Sequence, residues 1–139
     1  MSKKSSKIAA LIEECLGQPL EPHYLGYFEC FNRAQFFEAH EVLEELWLRH
    51  RAGPNDAFYR GLIQLAGAFV HLQKSRLRPA VSLFNLAEKN LKKYPAFHEH
   101  LDVACVLALI RAWRDKLQTT DFAHNPLTDT NAPRLSVPG

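Results

Sequence analysis

"FEAHEVLEELW", Phe37 to Trp47, decides the fold. Apolar residues recur in it at intervals of three and four, the period of an amphipathic helix. On a wheel of about 100° per residue, Leu46, Ala39, Leu43, Phe36 and Trp47 form one continuous arc, which Phe37 and Leu48 extend. Glu38, Glu41, Glu45 and Arg49 take the opposite side. Two polar residues fall among the apolar ones: His40 lies beside Trp47, and Glu44 lies between His40 and Phe37. The wheel thus puts both inside or at the lip of the core, and their i, i+4 spacing makes their side chains neighbours. The pattern predicts a helix over about Arg33 to Arg49, with Asn32 as N-cap and Gln35 completing a capping box.

Similar reasoning gives the flanking elements. Ile8, Leu11, Ile12, Cys15 and Leu16 make one stripe, predicting a helix over about Ser5 to Leu16 that Gly17 and Pro19 end. Glu21 to Phe31 reads as an aromatic connector, a packed loop or a short helical turn. Further helices are predicted over about Pro54 to Ser75, Pro79 to Lys93 and Phe97 to Gln118. The last contains "VACVLALI", apolar on all sides and therefore expected to be the most buried stretch. Nothing alternates with period two, so no strands are expected. The expected fold is all-α: a single five-helix bundle of antiparallel helices over residues 1–118, with the third and fifth helices central. A proline-containing tail over 119–139 should be disordered or extended over the surface.

Composition narrows the function. The chain of 139 residues is 47% hydrophobic and 23% charged, with a net charge of +2. Both signs are mixed along it and no basic cluster is dense, so nucleic acid is not an expected partner. The three cysteines are odd in number and far apart, which suggests neither a disulfide framework nor a cysteine zinc site. Cys15 and Cys105 should pack as small hydrophobes. The N-terminus opens like a signal peptide, but Glu13 and Glu14 interrupt its apolar run. The longest uncharged run, Val103 to Ile110, is far short of the roughly 20 residues of a membrane span. A reduced, cytoplasmic setting is expected.

An ionised carboxylate is not buried without a partner, so Glu44 needs one. Three readings compete. Glu44 belongs to a satisfied polar network with His40; or His40 and Glu44 ligate a divalent ion such as zinc, manganese or iron; or they form an acid–base dyad. The following helix adds a polar stripe of Arg60, Gln64, His71 and Lys74, with Gly67 between. Arg60 and Lys74 suit a solvent face. Gln64 and His71 are flanked by apolar residues and could complete a site with His40 and Glu44 if that face turns toward the preceding helix. Gly61 and Gly67 suggest close helix approach, since glycine inside a helix costs about 1 kcal/mol against alanine. His98 and His100 flank a helix start, while Asp102 and Asp115 read as surface charges.

"FNRAQFFEAHEVLEELW", "GLIQLAGAFVHLQ" and "RPAVSLFNLAEKNL" together resemble a small prokaryotic family of helical proteins, also found in cyanobacteria and plastid-bearing lineages. The family is catalogued as a domain of unknown function, number three-zero-nine. Its motif, His, three residues, Glu, two residues, then Trp or Tyr, falls on His40, Glu44 and Trp47, and its second marker on Gly61 to Gln64. The resemblance covers about Tyr27 to Tyr94 and implies a compact helical bundle whose motif has been suggested to bind metal. The site is therefore expected where the second and third predicted helices meet. His40 and Glu44 would be its ligands or polar pair, Gln64 and His71 completing groups, and Phe36, Trp47 and Gly61 the pocket wall. Two functions remain: a helical interaction module, acting as a homodimer or on a protein partner, or a divalent-metal or hydrolase-like protein. Whether the chain is an enzyme stays open.

Overall fold

Tyr24, Tyr27, Phe28 and Phe31 are spaced i, i+3, i+4, i+7. In the computed structural model of the chain, which describes residues 5–16 and 20–136, they lie on one helix. The elements are α1 (Ser5–Cys15), α2 (Pro22–Asn32), α3 (Phe36–Arg49), α4 (Asp56–Gln73) and α5 (Leu77–Leu91). A hairpin of β1 (Phe97–His98) and β2 (Leu101–Asp102) follows, then α6 (Val103–Gln118). The predicted stop at Gly17 and Pro19 lies outside the described residues, as does the Cys15 side chain.

The expected five-helix bundle is thus corrected to six helices and one short hairpin among the described residues. The connector over Glu21 to Phe31 is α2. Pro22 occupies its first turn, where a missing N–H costs nothing, and the Glu21 side chain accepts from the backbone N–H groups of His23 and Tyr24. Seven of its residues are buried, from Tyr24 to Phe31. The Tyr27 hydroxyl donates to the Leu62 carbonyl at 2.6 Å, which satisfies a fully buried polar atom and ties α2 to α4.

Consecutive helices pack against one another, with α4 between α3 and α5. Phe69 of α4 gathers four rings: Phe31 at 5.7 Å, Phe36 at 5.0 Å, Phe84 at 5.3 Å and Trp113 at 5.1 Å, from α2, α3, α5 and α6. So α4 is central, as expected, whereas α6 is not. Val103, Val106, Ile110, Trp113 and Leu117 are buried, but Ala104, Cys105 and Ala108 face solvent. The cause is that α6 lies at the edge of the bundle and packs mainly on α5. Cys105 is exposed rather than packed, and its thiol donates to Asp102 at 3.1 Å. Asp102 is the N-cap of α6, accepting from the Cys105 N–H at 3.0 Å. The buried thiol is Cys30.

Helix ends depart from expectation where the stop is not glycine. Ala34 takes a left-handed φ of 58°, and bonds from Ala34 N to Phe31 O and from Gln35 N to Cys30 O close α2 in a Schellman turn. Asn32 therefore ends α2 instead of capping α3, and Gln35 caps without a side-chain bond. Freed from capping, Asn32 holds the tail: its amide accepts from Leu135 N at 2.7 Å and donates to Leu135 O at 2.8 Å. Residues 119–122 form a turn that ends α6, and residues 123–136 follow as an irregular strap, with Leu135 buried and Phe122, Leu127 and Ala132 packed on the core.

The hairpin turns on Glu99 and His100, both with positive φ (49° and 62°), which gives the primed turn that a two-residue hairpin requires. His98 lies in β1 and His100 in the turn, not at a helix start.

Glu88 on α5 binds Arg114 at 2.8 Å and Arg111 at 2.9 Å, both on α6. The bond from Arg114 foremost, with that from Arg111, holds its carboxyl below the ordinary glutamate value. A carboxyl whose pKa is lower folded than unfolded stabilises the fold above its unfolded value, and that contribution is lost as pH falls through the folded one. Thermal unfolding midpoints should therefore fall below about pH 4. Glu88→Gln should lower the midpoint at pH 7 and flatten this acid decline; an equally steep decline in the variant would show that the α5–α6 pair does not contribute.

Candidate functional site

The dry arc of α3 is set by its two neighbours. Phe36, Ala39, Val42, Leu43 and Leu46 are buried. Val42, which the wheel left out, is buried because α2 crosses there at Gly26, where an added Cβ would lie 3.4 Å from Val42 Cγ2. The arc is thereby rotated away from His40 and Glu44. Their side chains are 33% and 34% exposed, so they lie on the rim of the core and not within it. His40 Nε2 is 4.0 Å from Glu44 Oε2, within ion-pair range and too long for a hydrogen bond. Phe37 is more than half exposed, and its ring stacks beside His40 at 6.2 Å.

On that rim lies a cleft of about 270 Å³. Phe37 and His40 of α3 form one wall, and Leu83 of α5 the other. Ile63, Gln64, Gly67, Val70 and His71 of α4 line it between them. The polar stripe of α4 thus turns toward α3, and His40, Gln64 and His71 line one cavity. Glu44 stands beside it through His40.

Three of the expected wall residues are elsewhere. Phe36 is fully buried and stacks on Phe69. Trp47 donates its indole N–H to Asp56 at 2.7 Å and lies beneath the guanidinium groups of Arg51 and Arg60. Asp56 also accepts from Ala52 N at 2.8 Å and Arg60 at 3.0 Å, so Trp47 anchors the turn between α3 and α4. Gly61 makes a close approach, but to Leu91 and Asn90 of α5. Five lining residues, Phe37, Ile63, Gly67, Val70 and Leu83, are not assigned to the site from sequence: there Phe37 reads as the edge of the α3 arc and Gly67 as a point of helix approach, and tertiary packing alone places Ile63, Val70 and Leu83 in the cleft.

The polar groups have distinct states. Asn90 donates to Gln64 Oε1 at 2.7 Å, which fixes the amide and leaves its N–H groups as donors. The Nδ1 atoms of both His40 and His71 are sealed from solvent with no hydrogen-bond partner. Burial, then the charges of Arg76 and Lys74, push the His71 pKa below the ordinary histidine value. A neutral His71 carries one ring proton, and orphaned buried N–H groups are rare, which places that proton on Nε2. A divalent ion does not fit this set. His40 and Glu44 supply two ligands where a stable site uses three or more, and no group of three His, Cys, Asp or Glu that could hold a metal exists among the described residues.

A family model described as "Domain of unknown function (DUF309)" matches residues 24–83. This segment is similar to the DUF309 family. Its match runs from α2 through α3 and α4 into α5. All the cleft-lining residues fall inside the DUF309 segment, with Leu83 at its last position. No curated protein and no solved structure matches the chain. No helix among the described residues is long and apolar enough to cross a membrane.

Proposed function

We infer that this chain is a binding module, a helical scaffold whose α3–α4–α5 cleft receives an apolar group of another molecule. One observation carries the reading: His40, Gln64 and His71 converge on a cavity otherwise lined by Phe37, Ile63, Val70 and Leu83. Apolar walls with a few placed polar groups are the usual make-up of a small-ligand site. The exposed ring of Phe37 supports it, since a large apolar side chain at the mouth of such a cavity gains by being covered. A cytoplasmic setting belongs to the reading and suits the exposed Cys105 thiol. The metal or hydrolase alternative built on His40 and Glu44 has no observation in its favour.

A fragment screen by amide chemical-shift perturbation tests this. Fragments should shift Phe37, Ile63, Val70 and Leu83 together. Gly67→Leu, which fills the cavity, and Phe37→Ser, which removes an exposed wall, should each weaken binding at least tenfold while keeping the helical circular-dichroism spectrum. Hits that avoid these residues, or no hits, would overturn the reading.

A further inference from the structure

The cleft lies between two unlike banks. On α3, Phe37 is followed by Glu41 and Glu44, and the helix carries Glu38, Glu41, Glu44 and Glu45 against the single cation Arg49. On the α5 side, Leu83 is followed by Leu86, Lys89 and Lys93, at the three- and four-residue steps of one helical face. Lys93, just past the end of α5, donates to Asn90 Oδ1 at 3.5 Å, and Asn90 in turn bonds Gln64 in the cleft. The acid of α5, Glu88, is taken up by Arg111 and Arg114 of α6. A large apolar side chain stands out on each bank: Phe37 is 52% exposed and Leu86 43%. The floor between them is Gln64, Gly67 and His71 of α4. It carries no charge at neutral pH, because burial holds His71 below the ordinary histidine value. Arg60 and Lys74 lie beyond its two ends, Arg60 paired with Asp56.

A knob and a hollow side by side, with acid on one bank and base on the other, fit a second copy of the same surface under a two-fold rotation. Phe36 meets Phe69 and Trp47 meets Asp56, so α3 runs antiparallel to α4. Gly67 approaches Leu83 and Gly61 approaches Leu91, so α5 does the same. Thus α3 and α5 are parallel to each other, with Phe37 about level with Leu83, and Glu44 level with the Lys89–Lys93 turn. We propose that the protein self-associates through this face as a two-fold dimer, each copy placing its Phe37 ring in the other's α3–α4–α5 cleft. The axis runs along α4, which lays α3 of one copy on α5 of the other. Glu41 and Glu44 then lie against the partner's Lys89 and Lys93. An axis across the helices would lay α3 on α3 and set Glu against Glu, so charge selects the first arrangement. Three helices about 10 Å across, and a length of about 27 Å for the 18 residues of α4, give a face on the order of 800 Å², the area per partner of a standard specific interface. This rests on the binding-module reading above and names the other molecule.

Sedimentation equilibrium of the full chain over a range of concentrations tests this, with circular dichroism of each variant to check that its helices are kept. The unaltered protein should form a dimer that dissociates on dilution. Phe37→Ser should raise the dimer dissociation constant at least tenfold. Lys89→Glu with Lys93→Glu should do the same, by repulsion from the partner's Glu41 and Glu44. Adding Glu41→Lys and Glu44→Lys to that chain should restore most of the affinity, which a merely structural loss would not. Fragments that shift the cleft amides should also drive the dimer toward monomer. A monomer at every concentration, with fragments still shifting the cleft, would overturn the dimer and leave the binding module standing. A monomer that no fragment shifts would overturn both. A dimer indifferent to Phe37→Ser and to the charge reversals would overturn this face as its seat. Reversals that weaken the dimer with no recovery in the combined variant would overturn the laying of α3 on α5.

Discussion

Phe69→Ala should lower stability by about 3–5 kcal/mol, the range for removing a large buried aromatic side chain. Phe69 has no exposed surface, and its ring meets Phe31, Phe36, Phe84 and Trp113 within 6 Å. Edge-to-face and stacked aromatic pairs add about 0.5–1.5 kcal/mol each beyond area burial, and four helices contribute one ring apiece. No single neighbour can fill the gap without leaving another. Domains of this size have about 5–15 kcal/mol in total, so the variant should sit near the edge of folding. At a few degrees per kcal/mol, its midpoint should fall by roughly 10–20 °C. Scanning calorimetry checks this. A loss under about 1 kcal/mol would mean that the rings do not pack as a unit.

The second large effect is expected at Gly61. A Cβ there would lie 2.8 Å from Leu91 Cγ and 3.0 Å from Leu91 Cδ2, with Asn90 Cβ at 3.3 Å. Neither neighbour can yield freely. Leu91 is fully buried, and Asn90 is held by its bond to Gln64. Gly61→Val should therefore force α4 and α5 apart, at a cost of about 3 kcal/mol. Because Asn90 orients Gln64, the cleft should also lose its fixed donor. Gly67→Ala is the control. There the added methyl meets only Leu83 Cδ1, the tip of a flexible side chain, at 3.0 Å. The gain in helix propensity of about 1 kcal/mol should leave Gly67→Ala neutral or slightly stabilised. Urea unfolding of the two variants side by side decides the matter; equal stabilities would show that the α4–α5 seam is looser than its geometry.

The contrast between these glycines shows what the chain disclosed and what it did not. Both suggested close helix approach, but the partner helix could not be read from spacing, and Gly61 was expected to face the cleft. Helices α3, α4 and α5 were legible because each buries a stripe narrow enough to leave a period. In α2 the aromatic residues keep a helical spacing, but nearly every residue from Tyr24 to Phe31 is buried, so no polar face marks the segment as an amphipathic helix and it reads as a connector. The stop at Ala34 uses a left-handed residue other than glycine, which removed the usual boundary signal between α2 and α3. Two-residue strands leave no alternation to detect. At the site, Gln64 and His71 were legible from the stripe on α4. The role of Trp47 was not, since its partner Asp56 lies across a turn. The wheel left His40 and Glu44 either inside the core or at its lip; it could not choose the lip, because it cannot know that a third helix crosses at Val42.

The amide of Asn32 grips the main chain of Leu135 across 103 positions of sequence. Loop-closure entropy makes such a contact slow to form, whereas the helical hairpins before it close over short turns. This contact thus completes a surface that the helices have already shaped. Native-state hydrogen exchange should find the Leu135 amide among the first to open, well before those of α4, and a protease should clip the segment around it while the helices stay intact.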